Sequence, residues 1–96
     1  MDFSIDAALQ ADLDRLRAFV RDEIVPLEAD RKNYDSYGNI DMAVLQTLRA
    51  KVKAAGLWAP QIPREQGGLG YKPTGMAVLY EAMNYSIFGP VAFNCA

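Results

Sequence analysis

The stretch Gly56-Leu57-Trp58-Ala59-Pro60-Gln61-Ile62-Pro63-Arg64-Glu65-Gln66-Gly67-Gly68-Leu69-Gly70-Tyr71 decides how the chain is read. It separates two segments of helical periodicity. Its composition is that of a loop with one fixed shape. Gly56 suits the left-handed conformation just past a helix end. Pro60 and Pro63 lock their own φ angles and bias Ala59 and Ile62 towards extended backbone. Leu57, Trp58 and Ile62 give that extended part something to bury. Gly67, Gly68 and Gly70 permit a tight turn with positive φ.

Upstream of the loop the chain reads as two helices. Asp6 is placed to cap the first. Leu9, Leu13, Leu16, Val20, Ile24 and Leu27 recur at steps of three and four and form one apolar stripe. The opposite face carries Asp12, Asp14, Arg15, Arg17, Arg21 and Asp22. Asp12 with Arg15, and Asp14 with Arg17, are spaced to pair across one turn. Pro26 has no N–H for the Asp22 carbonyl, so it kinks or interrupts this helix. A short helical extension through Glu28, Arg31 and Lys32 is expected after it. Asn33 to Asn39 is loop chemistry. Asp41 caps the second helix, whose buried stripe is Leu45, Leu48, Val52 and Ala55. Lys51 and Lys53 sit near its carboxyl end, where positive charge is favourable. Gly56 ends it, with Leu57 folding back on Val52.

Downstream, Pro73 suits the first turn of a third helix, with Met76, Leu79, Tyr80, Met83 and Ile87 on its apolar side. Gly89-Pro90 breaks that helix, and Pro90 suits the start of a fourth, of which only about two turns precede Ala96, a length marginal by itself. The expected fold is all-α: three helices and the start of a fourth, in one domain without repeats or linkers.

Composition narrows the chemistry. The chain has 96 residues, 51% of them hydrophobic, which suits one small globular unit and excludes compositional disorder. Net charge is −2, with basic and acidic residues interspersed, so there is no basic field for nucleic acid. One cysteine and no histidine exclude an intrachain disulfide, a His/Cys zinc site and a Ser-His or Cys-His nucleophile. No metal site is expected. The lone Cys95 suits a reducing compartment. The start, Met1-Asp2-Phe3-Ser4-Ile5-Asp6, lacks the regions of a signal peptide, and no apolar run approaches the ~20 residues of a membrane helix. A cytoplasmic protein that does not insert into membranes is expected.

Four features in this order resemble the amino-terminal helical domain of acyl-CoA dehydrogenases. They are the proline-bearing first helix from Leu16 to Glu28, the Gly56-Leu57-Trp58 helix end, the Pro-flanked segment leading to Gly67-Gly68-Leu69-Gly70, and the helix carrying Tyr80-Glu81 and closing with Tyr85-Ser86-Ile87-Phe88-Gly89-Pro90. The resemblance spans about Leu9 to Ala96 and assigns residues 1–96 to one incomplete N-terminal-like domain. Arg64 departs from the acidic residue common after the loop proline, and Lys72 from the usual small polar cap.

The resemblance implies a parent enzyme that removes the α-proton of an acyl-CoA with a carboxylate and passes the β-hydride to FAD. The family's β domain and carboxy-terminal helical domain, which hold the flavin and that carboxylate, have no counterpart in these residues. The chain alone is therefore expected to carry no catalytic or cofactor-binding residue, to retain no FAD and to be inactive. By position, Phe88, Val91, Ala92 and Cys95 would line the acyl chain; ordinary core contact is the other reading of the same apolar residues. Expected partners are acyl-CoA in the parent enzyme, and either the remaining dehydrogenase domains or a second copy, because Phe88, Val91 and Phe93 would lie on a face meant to be covered. A stand-alone helical interaction module derived from the same domain is the alternative.

Other features read as structural. Gly67 to Gly70 lacks the spacing of a phosphate loop. Glu81 is expected to cap or pair with that loop, Trp58 to pack, and Cys95 to be an inert thiol lining a pocket or buried.

Overall fold

Asp6 opens the first helix as its cap: its carboxylate accepts the Leu9 N–H at 2.7 Å. The computed structural model describes residues 5–95. Met1 to Ser4, read above for a signal segment, and the terminal Ala96 lie outside the described residues. Helix α1 runs Ala7–Phe19, α2 Met42–Ala54, α3 Pro73–Met83 and α4 Gly89–Ala92. Among the described residues there is no strand, only a lone antiparallel bridge between Tyr34 and Ile40. The expected all-α architecture of three helices and a short fourth is the one observed.

The effect of Pro26 begins before Pro26. After Phe19 the chain widens into a π-helical segment, Val20–Ile24, and then tightens into a 3₁₀ segment, Val25–Ala29. The Val25 N–H reaches back to the Val20 carbonyl, five residues away. Proline offers the preceding turn no donor, so regular α bonding cannot continue through it. Even so, Val20 and Ile24 stay on the buried face with Leu9, Leu13 and Leu16. Each such side chain withdrawn from water contributes about 1.5–3 kcal/mol.

Helix α2 follows its sequence signals closely. The Asp41 carboxylate accepts the Ala43 and Val44 N–H groups. At the other end, Leu57 N–H bonds the Val52 carbonyl and Gly56 N–H the Lys53 carbonyl, with Gly56 at φ +73°. This is the six-to-one, five-to-two bonding of a Schellman cap. Leu45, Leu48 and Val52 are buried, and Ala55 is half-buried.

The core lies where α1 packs on α3 and α2 on α4. One polar chain ties the layers. Tyr71 Oη donates to Asp12, Asp12 pairs with Arg15 at 2.9 Å, and Arg15 donates to the Ala55 carbonyl at the end of α2. The Asp12–Arg15 pair is as expected. The Asp14–Arg17 pair is not made; Asp14 accepts from Gln10 Nε2 instead.

Helix α3 is shorter than its sequence implies. It stops at Met83, not at Gly89-Pro90, and Ile87 is 67% exposed in the turn that follows. Its buried residues are Met76, Leu79, Ala82 and Met83, with Tyr80 at the edge. The chain doubles back at residues 84–88, with buried Ser86 accepting the Phe88 N–H. Gly89 then lies so close to Met83 that a Cβ there would sit 1.8 Å from the Met83 carbonyl oxygen. Only glycine permits that approach.

This turn overturns a second expectation. Phe88 and Phe93 are 2% and 0% exposed, inside the chain's own core. Phe93 meets Phe19 edge-on at 5.8 Å, and Phe88 packs against the Tyr34 ring at 5.0 Å. Of the three residues expected on an uncovered face, only Val91 remains half-buried; Phe88 and Phe93 are covered by the chain itself.

Candidate functional site

The loop from Gly56 to Tyr71 builds the site by fastening itself to the chain's carboxyl end. Ala59 N–H donates to the Phe93 carbonyl at 2.9 Å, and Gln61 Nε2 to the Asn94 carbonyl at 2.9 Å. The first of these bonds places Ala59 at φ +45°, not in the extended conformation that Pro60 favours locally. The Ala59 carbonyl also accepts the Ile62 N–H, closing a turn over Pro60 and Gln61. Two backbone bonds and full burial of Ala59 outweigh the left-handed strain.

The glycines act as a structural turn. Gly67 and Gly70 have φ of +93° and +71°. Gly68 lies against the loop's own backbone: a Cβ there would fall 2.1 Å from the Ile62 carbonyl oxygen. Gly67, Gly68 and Gly70 donate their N–H groups to Arg64, Pro63 and Ile62. Glu81, expected to serve this loop, is exposed and makes no side-chain bond among the described residues. The Gly67, Gly68 and Gly70 amides it would have capped already have partners. Trp58 is half-buried, with Lys53 Nζ 4.5 Å and the Arg49 guanidinium 5.4 Å from its ring centre. Those cations occupy the ring that a ligand would use for stacking.

Between the loop and the start of α3 is a hollow of about 500 Å³, bordered by Gln61, Tyr71, Met76, Tyr80 and Cys95. The Cys95 thiol is half-buried and donates to Gln61 Oε1 at 3.1 Å. Burial pushes its pKa up to about 11, so the sulfur is neutral and unreactive near neutral pH. Tyr71 is pushed up to about 12, first by burial and then by the bond to Asp12. The hollow therefore presents apolar surface, a neutral thiol and amide and phenol groups.

Residues 7–95 match the family described as acyl-CoA dehydrogenase, N-terminal domain. The chain belongs to this family. No curated protein and no solved structure matches it.

Within this acyl-CoA dehydrogenase N-terminal domain, the four residues expected around an acyl chain do not share one cavity. Cys95 borders the hollow just described. Val91 and the edge of Phe88 border a separate one of about 380 Å³, beside Ile40 and Ile87. Ala92 is fully buried. Met76 and Tyr80 were read only as core positions, yet they face the Cys95 hollow. The steps of three and four from Pro73 to Met76 to Tyr80 put all three on one helix face, a signal present in the sequence.

A flavin needs hydrogen-bond donors for its pyrophosphate and a face for its ring. The amides of Gly67, Gly68 and Gly70 bond to the loop's own carbonyls, and cations already sit at the Trp58 ring. The described residues do not fit that cofactor by themselves. Among them there is also no group of His, Cys, Asp and Glu able to hold a metal ion, and no helix is long and apolar enough to cross a membrane.

Proposed function

We propose that the chain serves as the N-terminal helical domain of a cytoplasmic FAD-dependent acyl-CoA dehydrogenase and forms part of the wall around the acyl chain. The observation that carries this reading is the family match across residues 7–95. In the proposal, Cys95 contacts the acyl chain directly as a neutral, apolar group. Val91 faces the separate hollow beside Ile40 and supports the Cys95 side only through α4. Phe88 and Ala92 stand behind as a rigid backing that keeps water away. The apolar part of that lining, Pro73, Met76 and the neutral Cys95 sulfur, suits a fatty tail, because burial of each methylene is favourable and no hydrogen bond is required. FAD and the carboxylate that takes the α-proton belong to parts of the parent enzyme other than these residues. The chain alone then neither retains FAD nor oxidises acyl-CoA, and its partners are acyl-CoA and the remaining dehydrogenase domains.

The test is to purify the chain, record its flavin absorbance and titrate it with octanoyl-CoA while following amide and methyl resonances. Support is absence of flavin and of dye reduction, with shifts confined to Cys95, Met76 and Tyr80. Stoichiometric flavin, dye reduction above background, or no shift at those residues refutes it.

The closed core favours a second reading, a stand-alone helical interaction module. Phe88 and Phe93 need no further domain to cover them. A reading frame in which a β domain follows residue 96 decides for the first reading, and a stop codon there for the second.

A further inference from the structure

A different hollow, of about 490 Å³, lies between the end of α1, the 3₁₀ segment and the turn after α3. Its floor is apolar and buried: Val20 from the π segment and Ala82 from α3 are 2% and 3% exposed. Its walls are apolar and open: Val25 is 39% and Tyr85 75% exposed. Its rim carries Arg17 and Arg21, four residues apart and so on one helix face. Arg17 makes no ion pair among the described residues. Arg21 engages Asp22 through Nε and Nη2, which leaves its other terminal nitrogen free to donate.

The acyl wall does not use this hollow, and it shares no lining residue with the Cys95 hollow. Core packing does not account for it either, because Val25 and Tyr85 remain in water. An inorganic anion would engage the rim and leave the floor idle. A neutral hydrocarbon would fill the floor and leave the two guanidinium groups unmatched. A molecule with an alkyl body and one anionic head satisfies both, since guanidinium donates in a planar fork to a carboxylate.

We propose that the hollow formed by Arg17, Val20, Arg21, Val25, Ala82 and Tyr85 is a binding site for a small amphipathic monoanion of the alkyl carboxylate class, separate from the acyl wall. The alkyl body lies over Val20 and Ala82 beneath the Tyr85 ring. The carboxylate meets Arg17 and the free edge of Arg21. Because the rim is exposed, salt screens this contact, and affinity falls as ionic strength rises.

The test titrates the full chain with sodium decanoate below its micellar concentration, with decanol and with phosphate, reading amide, methyl and ring resonances. Expected are saturable decanoate shifts at Val20, Val25, Ala82 and Tyr85, and at least tenfold weaker binding of decanol. The variant Arg17→Gln/Arg21→Gln loses at least tenfold in decanoate affinity with an unchanged unfolding midpoint, and Tyr85→Ala weakens decanoate and decanol alike. Equal decanoate affinity in the double variant overturns the proposal. So does phosphate matching decanoate, or decanoate shifts confined to Met76, Tyr80 and Cys95. That last result would leave the acyl-wall reading standing, whereas octanoyl-CoA failing at Cys95 while decanoate saturates the Arg17 hollow would remove only the acyl wall.

Discussion

Replacing Phe93 with alanine asks whether the chain closes its own core. Phe93 is the largest fully buried side chain and packs edge-on against Phe19. Removing a buried phenyl ring costs about 3–5 kcal/mol, counting the lost transfer energy and the cavity that remains. About 0.5–1.5 kcal/mol of that belongs to the aromatic pair. A domain of this length has a total stability of about 5–14 kcal/mol. The variant is therefore severely weakened, and at the lower end it is barely folded. The assay is equilibrium unfolding in urea, followed by helical circular dichroism and Trp58 fluorescence. With a slope of about 2 kcal/mol per molar, a 4 kcal/mol loss moves the midpoint by about 2 M. Phe93→Leu keeps most of the volume and should lose less than about 1.5 kcal/mol, which keeps the experiment readable if the alanine variant does not fold. Ile87→Ala, at a residue 67% exposed in the same turn, should stay within about 0.5 kcal/mol. If Phe93→Ala and Ile87→Ala behave alike, Phe93 is not in the core and the face around α4 is open after all.

Gly68→Ala should destabilise by about 1–3 kcal/mol or more, because its Cβ meets backbone oxygens that cannot rotate away. Gly67→Ala has open space and should lose only the left-handed penalty, about 1–2 kcal/mol; the reverse order in thermal melts would contradict the loop geometry. Arg49→Ala removes two bonds to the Val91 carbonyl, at 3.0 and 2.8 Å, and should cost about 1.5 kcal/mol in urea unfolding. The Cys95 thiol, with pKa raised from 9.0 to about 11, should react with iodoacetamide at pH 8 about a hundredfold more slowly than a free thiol; an equal rate would place it in open water. Cys95 and Tyr71 both hold their protons more tightly folded than unfolded. Their contribution is full below pH 9 and is lost as pH rises to about 12, so stability should fall over that window, less steeply in Cys95→Ala.

Family and fold class were legible because they rest on local signals. Caps at Asp6 and Asp41, stripes at steps of three and four, the Gly56 stop and Pro73 at a helix start each act within a few residues. Backbone hydrogen bonding in a helix is local too, so these signals determined where α1 and α2 begin and where α2 ends. The glycine turn was legible for the same reason.

What tertiary structure decided involves residues far apart in sequence. Pro60 alone favours an extended Ala59, but the bond to Phe93 holds it left-handed. Periodicity carried α3 on to Ile87, but the approach of Gly89 to Met83 ends it early. Glu81 had a loop to cap in the sequence, yet the glycines of that loop bond their own amides internally. Phe88 and Phe93 read as a surface awaiting cover, because no local pattern shows that Tyr34 and Phe19 arrive to bury them. Nor does any local pattern divide Cys95 and Val91 between two hollows. Hydrogen bonds within a turn are set by neighbouring residues. Burial is set by whichever segments share the core, and only the folded chain brings those segments together.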